Sequence, residues 1–353
     1  MEKKSRNIPE AKPEFTERMK NLLGKDYAEY LEILKEQPVR SIRCNELKIS
    51  PKDLKSRLEQ KRWKIKQPWK ENPEVMIVEG KYEEGNKVNE EHSYNLTETK
   101  SKVSNLKNLI ELDPGELGRA LEHLLGYYYI QELASMLPII ALSPKQNELV
   151  LDLCSSPGSK TTQVASKMQN TGTIIANEVS LGRIKILAAN LERCGVTNTI
   201  VTKKEGASLC NKFKKMDIQF DKILVDAPCS GEGTLRSTHK TYAMWNIKTV
   251  KALPRIQTNL FESALEILKP NGTLIYSTCT HSPEENEGVL DYILKKYKGK
   301  IKVEKIQLPI KPRPGITAWQ NKEYQEEVKL SCRVYPQDNN TEGFFLVKIR
   351  RIK

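Results

Sequence analysis

From Leu149 onward, short apolar segments rich in β-branched residues alternate with amphipathic stretches, and this alternation constrains the fold more than any other feature. The apolar segments are LVLDL (149–153), TIIANEV (173–179), TIVT (199–202), KILVDAP (222–228) and GTLIYSTC (272–279). Their apolar character is nearly continuous, as in parallel strands that are covered on both faces. The pattern therefore predicts a doubly wound α/β domain built on a parallel sheet.

The stretches between these segments have the spacing of amphipathic helices. One helix is predicted between Ser180, a good N-cap, and Gly195, a C-cap. A second is predicted over residues 254–268. A third is predicted to begin at SPEENE (282–287), whose first and fourth residues have the spacing of a capping box. Strands and helices thus alternate as a doubly wound sheet requires.

Composition divides the chain into three parts. Residues 1–80 have the mixed patterns of a small N-terminal helical and α+β module, and residues 109–353 carry the doubly wound pattern. The stretch 81–108 is polar and almost without periodicity, which is typical of a loop or an insertion. The predicted fold class is therefore α/β, a Rossmann-like catalytic domain with a small N-terminal α+β domain.

The charge of the chain favours a polyanionic partner. The formal net charge is +13, which is typical of nucleic-acid-binding proteins, although a lysine-rich surface without a specific partner has the same charge. No apolar run is long enough to span a membrane, and the first residues lack the apolar segment of a secretory signal, so we expect a cytoplasmic protein. The cysteines have no C-x-x-C spacing and the histidines form no H-x-x-x-H pair, so no metal site is expected.

Polar or reactive residues follow all of the predicted strands. In strand order these are the loop DLCSSPGSKTT, Glu178, Glu205, the pair Asp226 and Cys229, and Cys279. Ligands of an open parallel sheet bind outside the carboxyl ends of its strands. We therefore expect these residues to share one rim of the sheet.

The loop after the first strand limits which nucleotide cofactor fits. A phosphate-binding P-loop needs glycines where this chain has Cys154 and Ser159, and the G-x-G-x-x-G sequence of dinucleotide-binding proteins is also missing. Glu178 is placed to accept hydrogen bonds from a ribose, and Glu205 is placed to face an adenine. A cofactor with adenosine but no phosphates, such as S-adenosylmethionine, fits this pattern. Each acid alone is equally typical of a helix cap or a solvated turn.

Two cysteines stand at the ends of the fourth and fifth predicted strands, Cys229 after a proline and Cys279 after a threonine. Carbon 5 of cytosine is a poor nucleophile, and a thiolate that adds at carbon 6 activates it and later leaves. The ring also needs a hydrogen-bond donor or an acid at its N3 edge, a task that suits the carboxyl group of Asp226. The alternative is that both thiols are small buried hydrophobic groups, as most free cysteines are. The pair beside an aspartate favours methylation of cytosine.

Several motifs together resemble the Sun/Nop family of RNA cytosine-5 methyltransferases. They are LDLCSSPGSKTTQ, ANEVS, VDAPCSGEGTLR, YSTCT and EENE, all between Tyr127 and the C-terminus. The resemblance implies the methyltransferase variant of the doubly wound sheet, with an antiparallel last strand formed by EGFFLVKIR. It also implies that the chain is an enzyme whose cofactor is S-adenosylmethionine.

The resemblance further assigns roles to individual residues. It implies that Cys279 is the nucleophile that adds to carbon 6 and that Cys229 assists release of the methylated product. It implies that Asp226 contacts the cytosine edge and that Lys160 orients the active site. The cofactor site that it implies consists of Cys154, Ser155, Ser156, Pro157, Gly158, Ser159, Lys160, Glu178, Arg183, Glu205 and Asp226.

Two further motifs bear on the substrate. YYYIQELASMLP and YPQDNNTEGFF resemble the archaeal tRNA methyltransferases that act at the junction of the variable loop and the T stem, which implies tRNA as the RNA partner. Ribosomal RNA is the alternative substrate, and a non-catalytic RNA assembly factor is the alternative from a different class. The N-terminal module is expected to contact RNA phosphates through Arg40, Arg43, Lys61, Arg62 and Lys64.

Overall fold

The structure is a computed structural model that describes residues 10–83, 108–238 and 240–353. The α-helices of these residues are, in chain order, α1 (Pro13–Leu23), α2 (Tyr27–Lys35), α3 (Pro51–Gln60), α4 (Glu116–Arg119), α5 (Leu121–Leu124), α6 (Leu133–Leu142), α7 (Ser159–Lys167), α8 (Leu181–Cys194), α9 (Gly206–Lys215), α10 (Lys240–Met244), α11 (Ile247–Glu266), α12 (Glu287–Lys296) and α13 (Pro336–Asn339). The strands are β1 (Ser41–Cys44), β2 (Trp63–Lys66), β3 (Val75–Tyr82), β4 (Leu109–Ile110), β5 (Tyr128–Ile130), β6 (Leu149–Asp152), β7 (Thr173–Asn177), β8 (Thr199–Thr202), β9 (Phe220–Asp226), β10 (Leu268–Thr278), β11 (Ile301–Glu304), β12 (Arg313–Pro314), β13 (Ala318–Trp319), β14 (Lys322–Glu323), β15 (Cys332–Val334) and β16 (Phe344–Arg351). Short 3-10 helices are formed by Gly24–Asp26, Glu232–Thr234 and Glu326–Leu330.

The described residues form two compact units, one of Val39–Ile130 and one that combines the residues up to Pro38 with Gln131–Lys353. This grouping differs from the division predicted at residues 80 and 109. The N-terminal helices join the larger unit because their apolar faces pack there: the Phe15 ring meets Tyr242 and Trp245 edge-on at 5.7 and 5.3 Å. Most of the predicted insertion at 81–108 lies outside the described residues.

The larger unit is built on the predicted doubly wound sheet. Its strand order is β12-β15-β16-β10-β9-β6-β7-β8, with β11 also paired to β16. The strands β10, β9, β6, β7 and β8 run parallel, and β16 is antiparallel to β10, as expected for EGFFLVKIR. Helices α9, α11 and α12 pack together as one group, and α6, α7 and α8 pack as another. This arrangement brings the carboxyl ends of five parallel strands to one edge.

The helix boundaries follow the sequence in one case and depart from it in two. Helix α8 begins after Ser180 and ends at Gly195, whose φ of 70° is the left-handed conformation of a C-cap. Helix α11 begins seven residues before the predicted start, because the Asn246 side chain accepts the Thr249 N–H and Pro254 is accommodated inside the helix. Helix α12 begins at Glu287, after the predicted capping box, because the segment before it is held in turns by other contacts.

Strand β10 carries the aromatic centre of the core. The ring of Tyr276 stacks on Phe261 of α11, with centroids 5.0 Å apart, and meets Phe345 of β16 edge-on at 6.4 Å. All three side chains have 0% exposure. Stacked and edge-on aromatic pairs contribute about 0.5–1.5 kcal/mol each beyond their buried area. These contacts fix the strand that leads to Cys279.

The smaller unit is a sheet of strand order β2-β3-β1-β5, with β4 paired to β3, and helix α3 packs on it. One of its predicted phosphate contacts is wrong: Arg43 is 2% exposed, and its guanidinium lies 5.5 Å from the Tyr129 ring. Two other residues predicted to contact phosphates form ion pairs within the protein: Lys61 with Glu122 and Lys64 with Glu79.

No helix within the described ranges has the length and apolarity that a membrane-spanning segment needs.

Candidate active site

The adjoining ends of β9 and β10 carry the central acid of the site. Asp226 pairs with Ser277 in the parallel register, and the Ser277 hydroxyl donates to Asp226 Oδ1 at 2.7 Å. The other carboxylate oxygen, Oδ2, accepts a hydrogen bond from Lys160 Nζ at 2.7 Å. Both oxygens of Asp226 therefore have fixed partners on neighbouring elements.

The two cysteines predicted to act together lie side by side. Cys229 Sγ and Cys279 Sγ are 3.0 Å apart, and the Cys279 N–H donates to Cys229 Sγ at 3.3 Å. Both residues are partly exposed. The hydrogen bond with Cys279, together with burial of the thiol, raises the pKa of Cys229 well above its usual value. Cys229 is thus held as the neutral thiol.

Lys160 lies in the first turn of α7 and pairs with Asp226. Its ammonium donates to Asp226 and to Ser135 Oγ of α6 at 3.1 Å, and it lies 5.5 Å from the Phe344 ring centroid. Burial lowers the pKa of Lys160, but the charge and hydrogen bond of Asp226 outweigh it, and Cys279 adds to the net rise. The ammonium is therefore retained close to Cys279.

The loop after β6 is held by its neighbours in the conformation that the P-G-S sequence requires. Gly158 has a φ of 103°, and a Cβ there would lie 3.0 Å from Leu187 Cδ1, so a glycine is needed. Ser155 N–H donates to the Asn177 carbonyl at 2.9 Å. Asp152 Oδ2 accepts from the Thr161 hydroxyl at 2.7 Å, and burial raises the pKa of this carboxyl to about 6.

The predicted ribose acid lies beside the same loop. Glu178 accepts the Ser180 N–H at 2.9 Å and pairs with Arg183 at 3.2 Å. Arg183 Nη2 in turn donates to the Ser156 carbonyl at 2.7 Å. The structure thus connects three residues of the predicted cofactor site, Ser156, Glu178 and Arg183, through direct contacts.

Two other predicted cofactor residues, Glu205 and Cys154, lie in different surroundings. Glu205 is exposed and caps α9, where its carboxylate accepts the N–H groups of Ala207 and Ser208 at 3.0 and 2.7 Å. Burial opposes these hydrogen bonds, but the net effect lowers the pKa of Glu205. Cys154 is largely enclosed, and burial raises the pKa of its thiol. The helix cap that was the alternative interpretation of Glu205 is therefore present.

The carboxylates along this rim of the sheet fit a nucleoside cofactor without phosphates. Asp152 Oδ1 is a buried oxygen without a hydrogen-bond partner in the described part of the chain, and Glu178 adds a second carboxylate. Carboxylates accept hydrogen bonds from hydroxyl and ammonium groups but repel phosphates. No group of three or more His, Cys, Asp or Glu among the described residues is arranged to hold a metal.

Sequence reasoning missed three residues that contact Lys160 or Asp226. Ser277 and Phe344 lie inside the YSTCT and EGFF motifs, so their position in the motifs was an available signal. Ser135 lies inside the YYYIQELASMLP motif, but its hydrogen bond with Lys160 depends on the approach of α6 to α7, which is a tertiary contact.

Two protein families match the chain. The family described as 16S rRNA methyltransferase RsmB/F matches residues 139–350, and the N-terminal domain of 16S rRNA methyltransferase RsmF matches residues 12–89. Among solved structures, a methyltransferase homolog protein from Pyrococcus horikoshii superposes with a TM-score of 0.75 and 32% identity, covering 96% of this chain and 94% of that one. NSun6 from the same organism, solved with SFG, gives a TM-score of 0.76 and 26% identity over 97% and 98% of the two chains.

Curated relatives fall into two groups by substrate and length. The tRNA (cytosine(49)-C(5))-methyltransferase of Pyrococcus abyssi is 39% identical over 89% of both chains. The ribosomal RNA small subunit methyltransferase F of Aliivibrio salmonicida is 35% identical over 88% of this chain but only 58% of its own length. The family match spans more than half of the chain and the relatives cover most of it. The chain therefore belongs to the RsmB/F family, the Sun/Nop family of RNA cytosine-5 methyltransferases that its motifs resemble.

Proposed function

We propose that this enzyme methylates carbon 5 of a cytosine in tRNA through a covalent adduct between Cys279 and carbon 6. The observation that carries the proposal is the contact between the Cys229 and Cys279 sulfurs, 3.0 Å apart, at the edge where Asp226 and Lys160 meet. A nucleophile, a second thiol, a carboxylate and an ammonium are the groups that addition to a cytosine ring and its reversal require.

Cys279 acts as the attacking thiolate. Lys160 stabilises negative charge at this sulfur, since its buried ammonium interacts electrostatically with Cys279. Cys229 stabilises the same charge by donating its S–H to Cys279 across the 3.0 Å contact. As the Cys279 sulfur bonds to carbon 6, the double bond between carbons 5 and 6 opens and carbon 5 becomes nucleophilic.

Asp226 and Lys160 hold the polar edge of the base. The Asp226 carboxylate is fixed by Ser277 and Lys160, so it can accept a hydrogen bond from the amino group of the cytosine without reorganising, and the Lys160 ammonium is the donor for the charge that develops at N3. When bound, S-adenosylmethionine, the methyl donor that family membership implies, supplies an electrophilic methyl group to carbon 5.

Cys229 assists the final step. Loss of the proton on carbon 5 to a base re-forms the double bond and expels Cys279 as a thiolate. The Cys229 thiol then donates its hydrogen bond to the departing sulfur, which lowers the cost of the negative charge there. Without Cys229, the adduct persists.

The cofactor residues follow from the contacts around the loop after β6. The loop Cys154–Lys160 gives the backbone surface, and Glu178, oriented by Arg183, gives the carboxylate for ribose hydroxyls. Glu205 completes the rim beyond β8, where its capping role holds it at the first turn of α9.

The choice of tRNA is supported by sequence similarity. The tRNA-acting relative of Pyrococcus abyssi is 39% identical to this chain, and the ribosomal RNA relative of Aliivibrio salmonicida is 35% identical. The substrate is therefore proposed to be tRNA, with the cytosine at the junction of the variable loop and T stem as target.

The test offers labelled S-adenosylmethionine with total tRNA or with ribosomal RNA, followed by mapping of 5-methylcytosine. Wild-type enzyme is expected to label tRNA near the variable loop. Cys279→Ala should lose methylation, and Cys229→Ala should accumulate an enzyme–RNA adduct that survives denaturation. Cys332→Ala on β15 is the thiol control and should retain activity and leave no adduct.

Label confined to ribosomal RNA would overturn the substrate and keep the chemistry. Loss of methylation in Cys229→Ala without a denaturation-resistant adduct would overturn the role given to Cys229. An adduct that forms equally in Cys279→Ala would overturn the choice of nucleophile.

A further inference from the structure

The segment between β10 and α12 contains a buried acid that the mechanism above does not use. Glu285 is 0% exposed, and its main-chain carbonyl accepts the Tyr276 hydroxyl at 2.6 Å. Its sequence position suggested a capping box with Ser282. The side chain instead turns away from the helix and toward the loop that carries Cys229.

Glu285 holds the backbone on one side of Cys229, and Gln257 holds it on the other. Glu285 Oε2 accepts the Ser230 N–H at 3.0 Å and Gln257 Nε2 at 2.8 Å. The same Gln257 amide donates to the Pro228 carbonyl at 2.9 Å. Three consecutive residues, with Cys229 in the middle, are thus fixed from helix α11 and from the turn before α12.

The two oxygens of the Glu285 carboxylate differ in their hydrogen bonding. Glu285 Oε1 is buried and has no hydrogen-bond partner within the described ranges. Both hydrogen bonds of the side chain go to Oε2. A glutamine at this position can accept both bonds with its amide oxygen and removes the negative charge, while its NH2 group takes the place of the unpartnered oxygen, so the variant tests the charge provided that its folding is checked.

Opposite charges flank the two thiols. The Lys160 ammonium interacts with Cys279, whereas the Glu285 carboxylate acts on Cys229. A neighbouring ammonium favours a thiolate, and a neighbouring carboxylate disfavours it. The charges that act on the two thiols thus differ in sign, with an ammonium acting on Cys279 and a carboxylate acting on Cys229.

We propose that Glu285 is a positioning residue that assigns the roles of the two thiols, by fixing the Cys229 loop and by keeping Cys229 protonated while Cys279 is the thiolate. The proposal rests on the proposed function because it takes Cys279 as the attacking sulfur. It extends that function, since it names the group that prevents the pair from exchanging roles.

The titratable groups around Glu285 come from three elements. They are Glu232 of the 3-10 helix after β9, Cys229 in the preceding loop, and Tyr276 of β10. Burial, with the charge of Glu232 adding to it, raises the pKa of Glu285 to about 7. The carboxylate is therefore charged at the alkaline pH where thiols ionise.

The test measures alkylation of Cys229 as a function of pH, without RNA. The enzyme carries Cys279→Ala, so that one thiol of the pair is read by peptide mass spectrometry after brief treatment with iodoacetamide. Glu285→Gln is compared with Glu284→Gln, which removes a neighbouring charge. The Glu284 carboxylate pairs with Arg18 at 2.8 Å and makes none of the contacts that hold the Cys229 loop. Circular dichroism melts confirm that each variant is folded.

Removal of the Glu285 charge is expected to lower the alkylation midpoint of Cys229 by about one pH unit, equivalent to about tenfold faster alkylation below the midpoint. Glu284→Gln should leave it unchanged. A folded Glu285→Gln with the parental midpoint overturns the proposal. Should Glu285→Gln not fold, Glu285→Asp decides: a parental midpoint supports the role of the charge, and a lowered one overturns it.

A second measurement uses RNA and the enzyme with both thiols. At the alkaline pH of the Cys229 alkylation midpoint, Glu285→Gln should increase the fraction of enzyme held as denaturation-resistant adduct several-fold, without changing KM for RNA, because an ionised Cys229 no longer donates to the departing sulfur. A raised KM with no added adduct overturns the proposal. Because alkylation needs no RNA, failure of the charge effect is distinguishable from failure of the methylation mechanism.

Discussion

Replacement of Lys160 by methionine should destabilise the enzyme by leaving the Asp226 carboxylate without its cation. The Lys160 Nζ to Asp226 Oδ2 distance is 2.7 Å, and the two side chains are 10% and 26% exposed. Loss of one partner from a fully buried pair costs about 3–5 kcal/mol. Solvent reaches part of Asp226 and screens its charge, which reduces the expected loss for Lys160→Met to about 2–3 kcal/mol.

The double variant distinguishes pairing from simple loss of contacts. Asp226→Asn alone leaves an uncompensated ammonium, whereas Lys160→Met with Asp226→Asn removes both charges, so the double variant should lose less than the sum of the single variants by at least about 1 kcal/mol. Urea unfolding followed by circular dichroism measures each free energy, with the slope required to stay constant. None of the three variants should methylate RNA.

An exposed pair gives the matched control. Lys214 Nζ lies 2.9 Å from Glu266 Oε2, but the side chains are 56% and 41% exposed. The coupling energy of this pair should stay below about 0.5 kcal/mol. If the Lys160 and Asp226 losses add to within about 0.5 kcal/mol, like those of independent sites, the reasoning about a buried charge pair in the active site is refuted.

Two further predictions concern stability. Arg333→Met should cost about 3–5 kcal/mol in urea unfolding because Arg333 and its partner Glu287 are 3% and 0% exposed; a loss under about 1 kcal/mol would contradict the pairing. Burial raises the folded-state pKa of Asp152 from 3.8 to about 6, so the folded state binds the proton more tightly and stability falls as pH rises through this range. Asp152→Asn should remove this decline, up to about 1.4 kcal/mol per pH unit in unfolding free energy between about pH 4 and 6; an unchanged pH slope would show that Asp152 is not its source.

The parallel sheet was predictable because its strands are covered on both faces. The apolar run predicted at 199–202 coincides with β8, and the run predicted at 149–153 extends one residue beyond β6. The start of α11 was not predictable in this way. Pro254 resembles a helix start locally, but the cap at Asn246 and tertiary packing extend the helix around it.

Sequence motifs predicted which residues gather at the site better than how each is held. Asp226, Lys160, Cys229 and Cys279 meet as expected, because strand ends of a parallel sheet converge. The direction of the Glu285 side chain was not predictable, since local spacing favours a helix cap while the distant Ser230 N–H and the Gln257 amide of α11 are the donors that it accepts. The same residue types form helix caps and tertiary contacts, and only the packed structure shows which of the two a given side chain makes.

The closeness of the two cysteine loops depends on a pair of glycines that approach each other. Gly233 N–H donates to the Cys279 carbonyl at 2.9 Å, and Gly343 N–H donates to the Gly233 carbonyl at 2.8 Å. A Cβ on Gly233 would lie 2.3 Å from the Gly343 carbonyl oxygen, so no larger residue fits without moving backbone. Cys279 is thus fixed through its backbone from one side, and Cys229 from the other by Glu285 and Gln257. Because the backbone of each cysteine is also held by groups outside the pair, charge can differentiate the two thiols without disturbing their contact, which is what a nucleophile and its partner in release require.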